Sequence, residues 1–309
     1  MRASAYRRKS IRSVSVVVPV LNGAETIPRL LNGLMKQSRA PDDVEIIVVD
    51  GGSTDGTQKI VRNYNVKLFE ERKPGPAAAR NLGLKKARGD LVVFVDADMV
   101  PTKYWLSELV AVFANHDVIA ATGRIKGFPP KTSAERFLAA IHSTPREEQL
   151  VRNLIPFVPS MNLAVRREHA LRIGWRPEMV TGEDIDFCYR IQREFSTQIK
   201  YVPNAVTYHR RSRTDEDLRM IAWTQGEGLA HLFLRNPQLI PPTIVNSMRL
   251  VGDIGYRTLS PISIRKGNRL FGLKKADFSH YHKLWTRWTW RGIFSMLKNR
   301  AYKPLPSDH

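Results

Sequence analysis

The sequence is short of cysteine, of acid near its two ends and of long apolar runs. One cysteine, Cys188, among 309 residues excludes an internal disulfide framework and any cysteine-built zinc cluster. That usage fits a reducing, cytoplasmic compartment. No stretch free of Asp, Glu, Lys and Arg exceeds 13 residues, and the two that reach it, 153–165 and 236–248, both contain proline. A membrane-spanning helix needs about 18–20 apolar residues, so none is expected. The basic N-terminus is not followed by a secretory apolar run and a small-residue cleavage site. The apolar run Val14–Val20 is short and holds Pro19, which suits a buried strand instead.

What is present is cationic charge, with a net of +20 that is unevenly spread. Residues 1–12 hold five Arg/Lys and no acid, and residues 261–309 hold eleven against Asp277 and Asp308. The centre is therefore an ordinary domain between two basic ends. Such ends favour an anionic surface, either phospholipid headgroups or nucleic acid, or simply keep the chain in solution. Against nucleic acid, no DNA- or RNA-reading motif is present. Near the C-terminus Tyr281, Leu284, Trp285 and Trp288 follow helical spacing, as do Trp290, Ile293, Phe294 and Leu297 on the opposite face. Either a helix breaks near Gly292 or it is apolar all round. The aromatics suit both a bilayer interface and the core of a domain.

The first hundred residues alternate between short apolar runs and helical stripes. Val14–Val18, Glu45–Val49, Val66–Phe69 and Leu91–Val95 read as strands. Between them, Thr26–Gln37 carries Ile27, Leu30, Leu31, Leu34 and Met35 at helical spacing, Thr57–Arg62 reads as a short helix, and Ala77–Ala87 is an Ala-rich one. Continuous rather than alternating apolar runs mean strands covered on both faces. The order predicts a parallel α/β sheet. Ligands in such sheets bind beyond the carboxyl ends of strands. Polar and small residues cluster there: Pro19–Asn22, then Asp50 to Asp55, then Asp96, Ala97 and Asp98. Asp96 and Asp98, at i and i+2 after a strand, offer two hard oxygen donors to Mg²⁺ or Mn²⁺, which also takes phosphate oxygens.

The blocks VSVVVPVLNGAETIPRLLNGL, EIIVVDGGSTDGT, GPAAARNLGLKKARGDLVVFVDAD and GEDIDFCYRI, in that order, resemble family-2 glycosyltransferases of the GT-A fold. The resemblance runs from about Val14 to about Arg211. It implies a Rossmann-like, mainly parallel central sheet flanked by helices, with a mostly helical C-terminal extension. The implied layout is a basic tail over 1–12 and a GT-A domain over 13–214. Within that domain, 13–100 would bind donor and 101–214 would shape the acceptor side. Beyond the resemblance, the helical, basic and aromatic region over 215–309 is expected either to associate with a membrane or to pack its aromatics on the main domain. The resemblance also implies a nucleoside-diphosphate sugar as donor, Mn²⁺ or Mg²⁺ as cofactor, and a glycan or lipid-linked acceptor. Pro19, Val20 and Asp50 would line the nucleoside pocket, and Arg80 and Asn162 would flank the donor. Asp96, Asp98 and His209 would hold the metal. Asp184 would be the general base of an inverting reaction, with Glu183 in support. Many members have a second Asp where this chain has Gly51, so the base is left unspecified. Asp186 is expected to complement the helix dipole, and Cys188 to be a small core residue. The expected location is the cytoplasmic face of the membrane. A polyprenyl-phosphate sugar transferase of the same fold, or a basic nucleic-acid-binding protein, are the alternatives.

Overall fold

The computed structural model describes residues 11–38, 41, 43–141, 158–179, 181–209, 214–236 and 275–298. The basic N-terminal residues to 10, and Arg210, Arg211 and Arg213, lie outside them. The chain divides into two compact units. One comprises Met1–Lys126, Arg146–Val180 and Asp184–Arg210; the other comprises Gly127–Pro145, Thr181–Glu183 and Arg211–His309. The division departs from a single boundary near residue 214, because two earlier segments join the C-terminal helices.

The first unit is built on an eight-stranded sheet. Its strands are β1 (Ser13–Val20), β2 (Asp43–Asp50), β3 (Lys67–Glu70), β4 (Leu91–Phe94), β5 (Met99–Pro101), β6 (Ala120–Gly127), β7 (Leu163–Arg166) and β8 (Lys200–His209), in the spatial order β3-β2-β1-β4-β7-β6-β8-β5. β1, β2, β3 and β4 pair in parallel, and β7 pairs antiparallel with both β4 and β6. β5 pairs antiparallel with β8. The parallel expectation therefore holds for the first half, and the second half is mixed.

Helices α1 (Ile27–Met35), α2 (Thr57–Val61), α3 (Pro76–Lys86), α4 (Trp105–Ala111), α6 (Arg167–Ile173) and α7 (Glu183–Glu194) accompany the sheet, while α5 (Ser133–Ile141) belongs to the second unit. α1 starts with Pro28 in its first turn, where a missing N–H costs nothing. It buries Ile27, Leu30, Leu31 and Leu34, each contributing about 1.5–3 kcal/mol. Met35, at the edge of that stripe, is exposed. Apolar clusters lie on both faces of the sheet, the reason its strands read as unbroken Val, Ile and Leu. Cys188 is buried in one of them and donates to the Val158 carbonyl, and burial raises its thiol pKa.

The second unit centres on α8 (Asp215–Arg235) and α9 (Lys275–Lys298). Thr214 and Asp217 form a capping box that starts α8: the Asp217 N–H donates to Thr214 Oγ1 at 3.1 Å, and the Thr214 N–H to Asp217 Oδ2 at 3.0 Å. Leu218 and Ala222 of α8 meet Phe278, Leu284 and Trp285 of α9 and Phe137 of α5 in a buried cluster, with Tyr281 and Trp288 at its margin. The first aromatic set is thus core of its own unit. α9 runs without a break through Gly292, which decides between the two alternatives in favour of one continuous helix. A Cβ at Gly292 would lie 2.1 Å from the Trp223 carbonyl oxygen, so the glycine admits α8 rather than ending α9.

Candidate active site

The parallel strands end together. Val20 is opposite Asp50, and the Gly51 N–H donates to the Val20 carbonyl at 2.8 Å. Pro19 and Val20 are both buried at this edge. Two loops above it are laced by short polar bonds. The Asn22 N–H donates to Ser53 Oγ at 2.8 Å, and Asn22 Oδ1 accepts from the Thr54 N–H at 2.9 Å. The Gly23 N–H donates to Thr57 Oγ1 at 2.9 Å, and the Ala24 N–H to Asp55 Oδ2 at 3.0 Å. Asn22 takes a φ of 50°, a left-handed conformation that Asn tolerates. The polar residues after β2 therefore first tie this loop to the one after β1. The Thr57 hydroxyl on Asp55 and the Ala24 amide lower the Asp55 pKa.

Asp50, at the end of β2, is fully buried. Its Oδ2 accepts from the Gly52 N–H at 3.0 Å, the Ser53 N–H at 2.9 Å and Gln58 Nε2 at 2.9 Å. Burial raises its pKa, but the bonds from Ser53, Gln58 and Gly52 outweigh that and leave it below the usual carboxylate value. Its Oδ1 is buried and has no hydrogen-bond partner. An ionised oxygen in that condition is an acceptor awaiting a donor group.

Arg80, on α3, is buried and reaches the next loop. Its Nη2 donates to Asp96 Oδ1 at 2.9 Å, and its guanidinium lies 5.0 Å from the ring centre of Trp175. Trp175 stacks on Phe187 at 4.2 Å and meets Phe94 edge-on at 5.1 Å. This aromatic seat fixes Arg80, which in turn fixes Asp96. Trp175 carries no local sequence signal of this role, because its partner Arg80 lies far away in the chain.

β5 follows Asp98 directly and pairs Met99 with His209 at the end of β8. That register brings His209 Nε2 to 3.0 Å from Asp98 Oδ2, with both side chains part-exposed. The two are hydrogen-bonded to each other, and an imidazole nitrogen and a carboxylate oxygen are both donor types that a divalent cation such as Mn²⁺ would take. Among the described residues no group of three or more His, Cys, Asp and Glu side chains is placed to hold a metal ion, so Asp96, Asp98 and His209 do not converge as a three-residue set.

Asn162 departs from expectation. It is fully buried, and both ends of its amide are committed to the protein. Oδ1 accepts from Trp105 Nε1 at 2.9 Å, while Nδ2 donates to the Ala205 carbonyl at 3.2 Å and Thr207 Oγ1 at 3.3 Å. It is a tie between α4, the turn before β7, and β8, not a donor contact.

The acidic motif opens α7. Asp184 is part-exposed, and its Oδ1 accepts from the Ile185 N–H at 2.8 Å. Glu183 is buried. Asp186 has a larger task than complementing the dipole. It is fully buried between Arg176 Nη1 at 3.0 Å and Arg190 Nε at 2.7 Å. Burial lowers the Arg190 pKa, and Asp186 opposes that shift.

The family model described as Glycosyl transferase family 2 matches residues 15–174. Glycosyltransferase AglE of Haloferax volcanii is 31% identical over 186 residues, covering 57% of this chain and 60% of that protein. Pre-mycofactocin glycosyltransferase of Mycobacterium tuberculosis is 29% identical over 319 aligned positions, covering 96% of this chain and 66% of that protein. The chain thus spans 60–66% of the length of these curated relatives. Among solved structures, a mannosyltransferase from Pyrobaculum calidifontis in complex with GDP-Man and Mn²⁺ aligns with a TM-score of 0.60 at 21% identity, covering 94% of this chain and 88% of its own. Glucosyl-3-phosphoglycerate synthase from Mycobacterium tuberculosis, with Mn²⁺, UDP and phosphoglyceric acid, aligns with a TM-score of 0.54 at 24% identity, covering 75% and 80%.

Proposed function

The chain belongs to glycosyl transferase family 2 and has the GT-A fold, and from that premise we propose that it is an inverting glycosyltransferase acting on a nucleoside-diphosphate sugar. The observation that carries the donor assignment is Asp50 Oδ1, a buried acceptor without a partner beside Pro19 and Val20. It would accept from a donor N–H on the base edge. With Gly51 next to it, position 51 adds no carboxylate to that of Asp50.

Asp98 and His209 would hold a divalent cation, with Asp96 beside them oriented by Arg80. Such a cation, when bound, neutralises charge that builds on the departing diphosphate. Arg80 keeps Asp96 aimed, and Trp175 keeps Arg80 from swinging away. Asp184 would take the proton of the acceptor hydroxyl. The acceptor oxygen forms its bond to the anomeric carbon as the carbon–oxygen bond to the diphosphate breaks, and the nucleoside diphosphate leaves. The products are the glycoside, the nucleoside diphosphate and a protonated Asp184. Glu183 supports the acceptor.

The test is nucleoside diphosphate release across UDP-, GDP- and dTDP-sugars with Mn²⁺ and Mg²⁺, followed by transfer in the Asp184→Asn variant. Loss of transfer by more than about 100-fold with donor binding kept supports the base. Transfer within a few-fold of wild type favours the second reading, a polyprenyl-phosphate acceptor that is already an anion and needs no base.

The acceptor side of the proposal includes a lipid surface, and α9 carries that part. Its exposed face presents Lys283, Arg287 and Arg291 with Trp290 and Phe294, and no acid. Trp290 is 39% and Phe294 62% exposed, their rings stacked at 5.8 Å. No helix among the described residues is long and apolar enough to cross a membrane, so contact would be at the headgroups. Each basic side chain near an anionic leaflet is worth about 1 kcal/mol. Sedimentation with phosphatidylglycerol vesicles, but not phosphatidylcholine, and its loss in a Trp290→Ala/Phe294→Ala double variant, is the expected result. Equal recovery of the variant would remove α9 from this role.

A further inference from the structure

Between α3 and α7 lies the short turn that follows α6, and both helices grip it. From α3, Asn81 closes on the Trp175 backbone: Asn81 Nδ2 donates to the Trp175 carbonyl at 2.7 Å, and the Trp175 N–H donates to Asn81 Oδ1 at 2.8 Å. From α7, Arg190 donates to the carbonyls of Ile173 at 2.7 Å and Gly174 at 2.9 Å, while Asp186 accepts from Arg176 Nη1 at 3.0 Å. Gly174 takes a φ of +60°, which lets the chain turn out of α6 directly into Trp175.

The Trp175 side chain repeats the same bridge. It is buried, carries the Arg80 guanidinium of α3 at 5.0 Å from its ring centre, and stacks on Phe187 of α7 at 4.2 Å with the planes 10° apart. Phe94 closes the seat edge-on, 5.1 Å from Trp175 and 6.4 Å from Phe187, and stands on β4 two residues before Asp96. Arg80 is the residue that orients Asp96. Phe187 follows Asp184 by one turn of the same helix. The Trp175 indole N–H is buried with no hydrogen-bond partner among the described residues, so the ring acts through its faces and edge.

We propose that Trp175 is a positioning residue that ties the donor side of the reaction to the base: one ring fixes Arg80, and so Asp96, and also fixes α7, and so the carboxylate of Asp184. Trp175 acts through Arg80 and Phe187 and not on substrate. This role rests on the proposed function, in which Asp96 serves the donor and Asp184 is the base. The two sides are then set by one element, and disturbing it from either side moves both.

The test is Phe187→Leu, Trp175→Leu and Trp175→Phe. Each removes buried ring surface and lowers the melting temperature, so rates are read on fully folded protein well below the transition. Phe187 belongs to the base-bearing helix, yet Phe187→Leu should change both sides. Its kcat for transfer should fall at least about 10-fold. Its donor KM should rise at least about 3-fold, the weakening of one hydrogen bond. A ring that serves stability alone leaves both constants unmoved in folded protein. Trp175→Phe keeps an aromatic face for Arg80 and for Phe187 and gives up no hydrogen bond, so both constants should stay within about 3-fold of wild type. The Trp175→Leu/Phe187→Leu double variant should lose little beyond Trp175→Leu, because the two act through one contact. Constants unmoved in folded Phe187→Leu, or a change in kcat alone, would overturn the proposal. So would fully independent effects in the double variant, or a Trp175→Phe protein as impaired as Trp175→Leu. Failure of both leucine variants to fold assigns the stack to stability and overturns it too. Asp184→Asn and Asp96→Ala separate the two levels. If the first retains transfer, or the second leaves donor KM unchanged, the underlying reading fails. If both are impaired while Phe187→Leu leaves both constants unmoved, only the positioning proposal fails.

Discussion

Replacing Asp186 by asparagine removes the charge from a fully buried carboxylate gripped by Arg176 at 3.0 Å and Arg190 at 2.7 Å. Breaking a buried pair by removing one partner costs about 3–5 kcal/mol, because the remaining charge is left uncompensated. Two features favour the lower end. The Arg176 side chain is 28% exposed and partly hydrated, and Arg190 keeps the carbonyls of Ile173 at 2.7 Å and Gly174 at 2.9 Å. We expect a loss of about 3 kcal/mol, which for a fold of this size lowers the melting temperature by about 6–12 °C. Asp184→Asn, two residues away and part-exposed, should leave the melting temperature within about 2 °C while removing transfer. Thermal unfolding followed by circular dichroism decides between them. A shift under about 2 °C for Asp186→Asn would refute the assignment of this carboxylate to the fold.

Three further outcomes are expected. His169 is buried against Phe195, near Glu168 at 3.7 Å and with Arg166 and Arg172 close by; burial, then those two arginines, hold its pKa down to about 4. The unfolded chain binds that proton first, so stability should be full above about pH 6.5 and fall by up to about 3 kcal/mol toward pH 4; His169→Leu should flatten this slope in urea titrations, and an unchanged slope would contradict it. Asn162→Ala strands the indole N–H of Trp105, so it should cost about 1–3 kcal/mol with little change in donor KM beyond that expected from lost stability, measured on the folded fraction. His209→Ala should raise the half-saturating Mn²⁺ concentration at least about 10-fold without altering the melting temperature of the metal-free protein by more than about 2 °C.

Much of the first half was legible because parallel strands buried on both faces carry uninterrupted Val, Ile and Leu, and because the loops at their ends are rich in Asp and Gly. The antiparallel half was not. β5 and β7 are three and four residues long, too short to show a period. The pairing of Asp98 with His209 depends on β5 meeting β8, a register no local pattern encodes. Asn162 and Asp186 carried misleading signals: a polar residue in a substrate-like loop and an acid in a first helical turn. Their true partners, Trp105 and Thr207 for one and Arg176 and Arg190 for the other, are set by tertiary packing. Gly292 left a break and a continuous helix both open, since glycine disfavours helices; its close contact with Trp223 of α8 explains a glycine inside an unbroken one. Segments Gly127–Pro145 and Thr181–Glu183 join the helical unit through contacts that composition does not reveal.

The central claim is that the loops at the ends of β1 and β2 bind the nucleotide of a sugar donor through Asp50, with a cation at Asp98 and His209. Calorimetric titration of the wild-type protein with UDP, GDP and dTDP, each with and without Mn²⁺, tests it most directly. One nucleotide should bind, more tightly by at least about 10-fold with Mn²⁺, and its binding should be lost in Asp50→Ala and lose its Mn²⁺ dependence in Asp98→Ala. Binding of none of the three, or binding indifferent to both substitutions, would contradict the account.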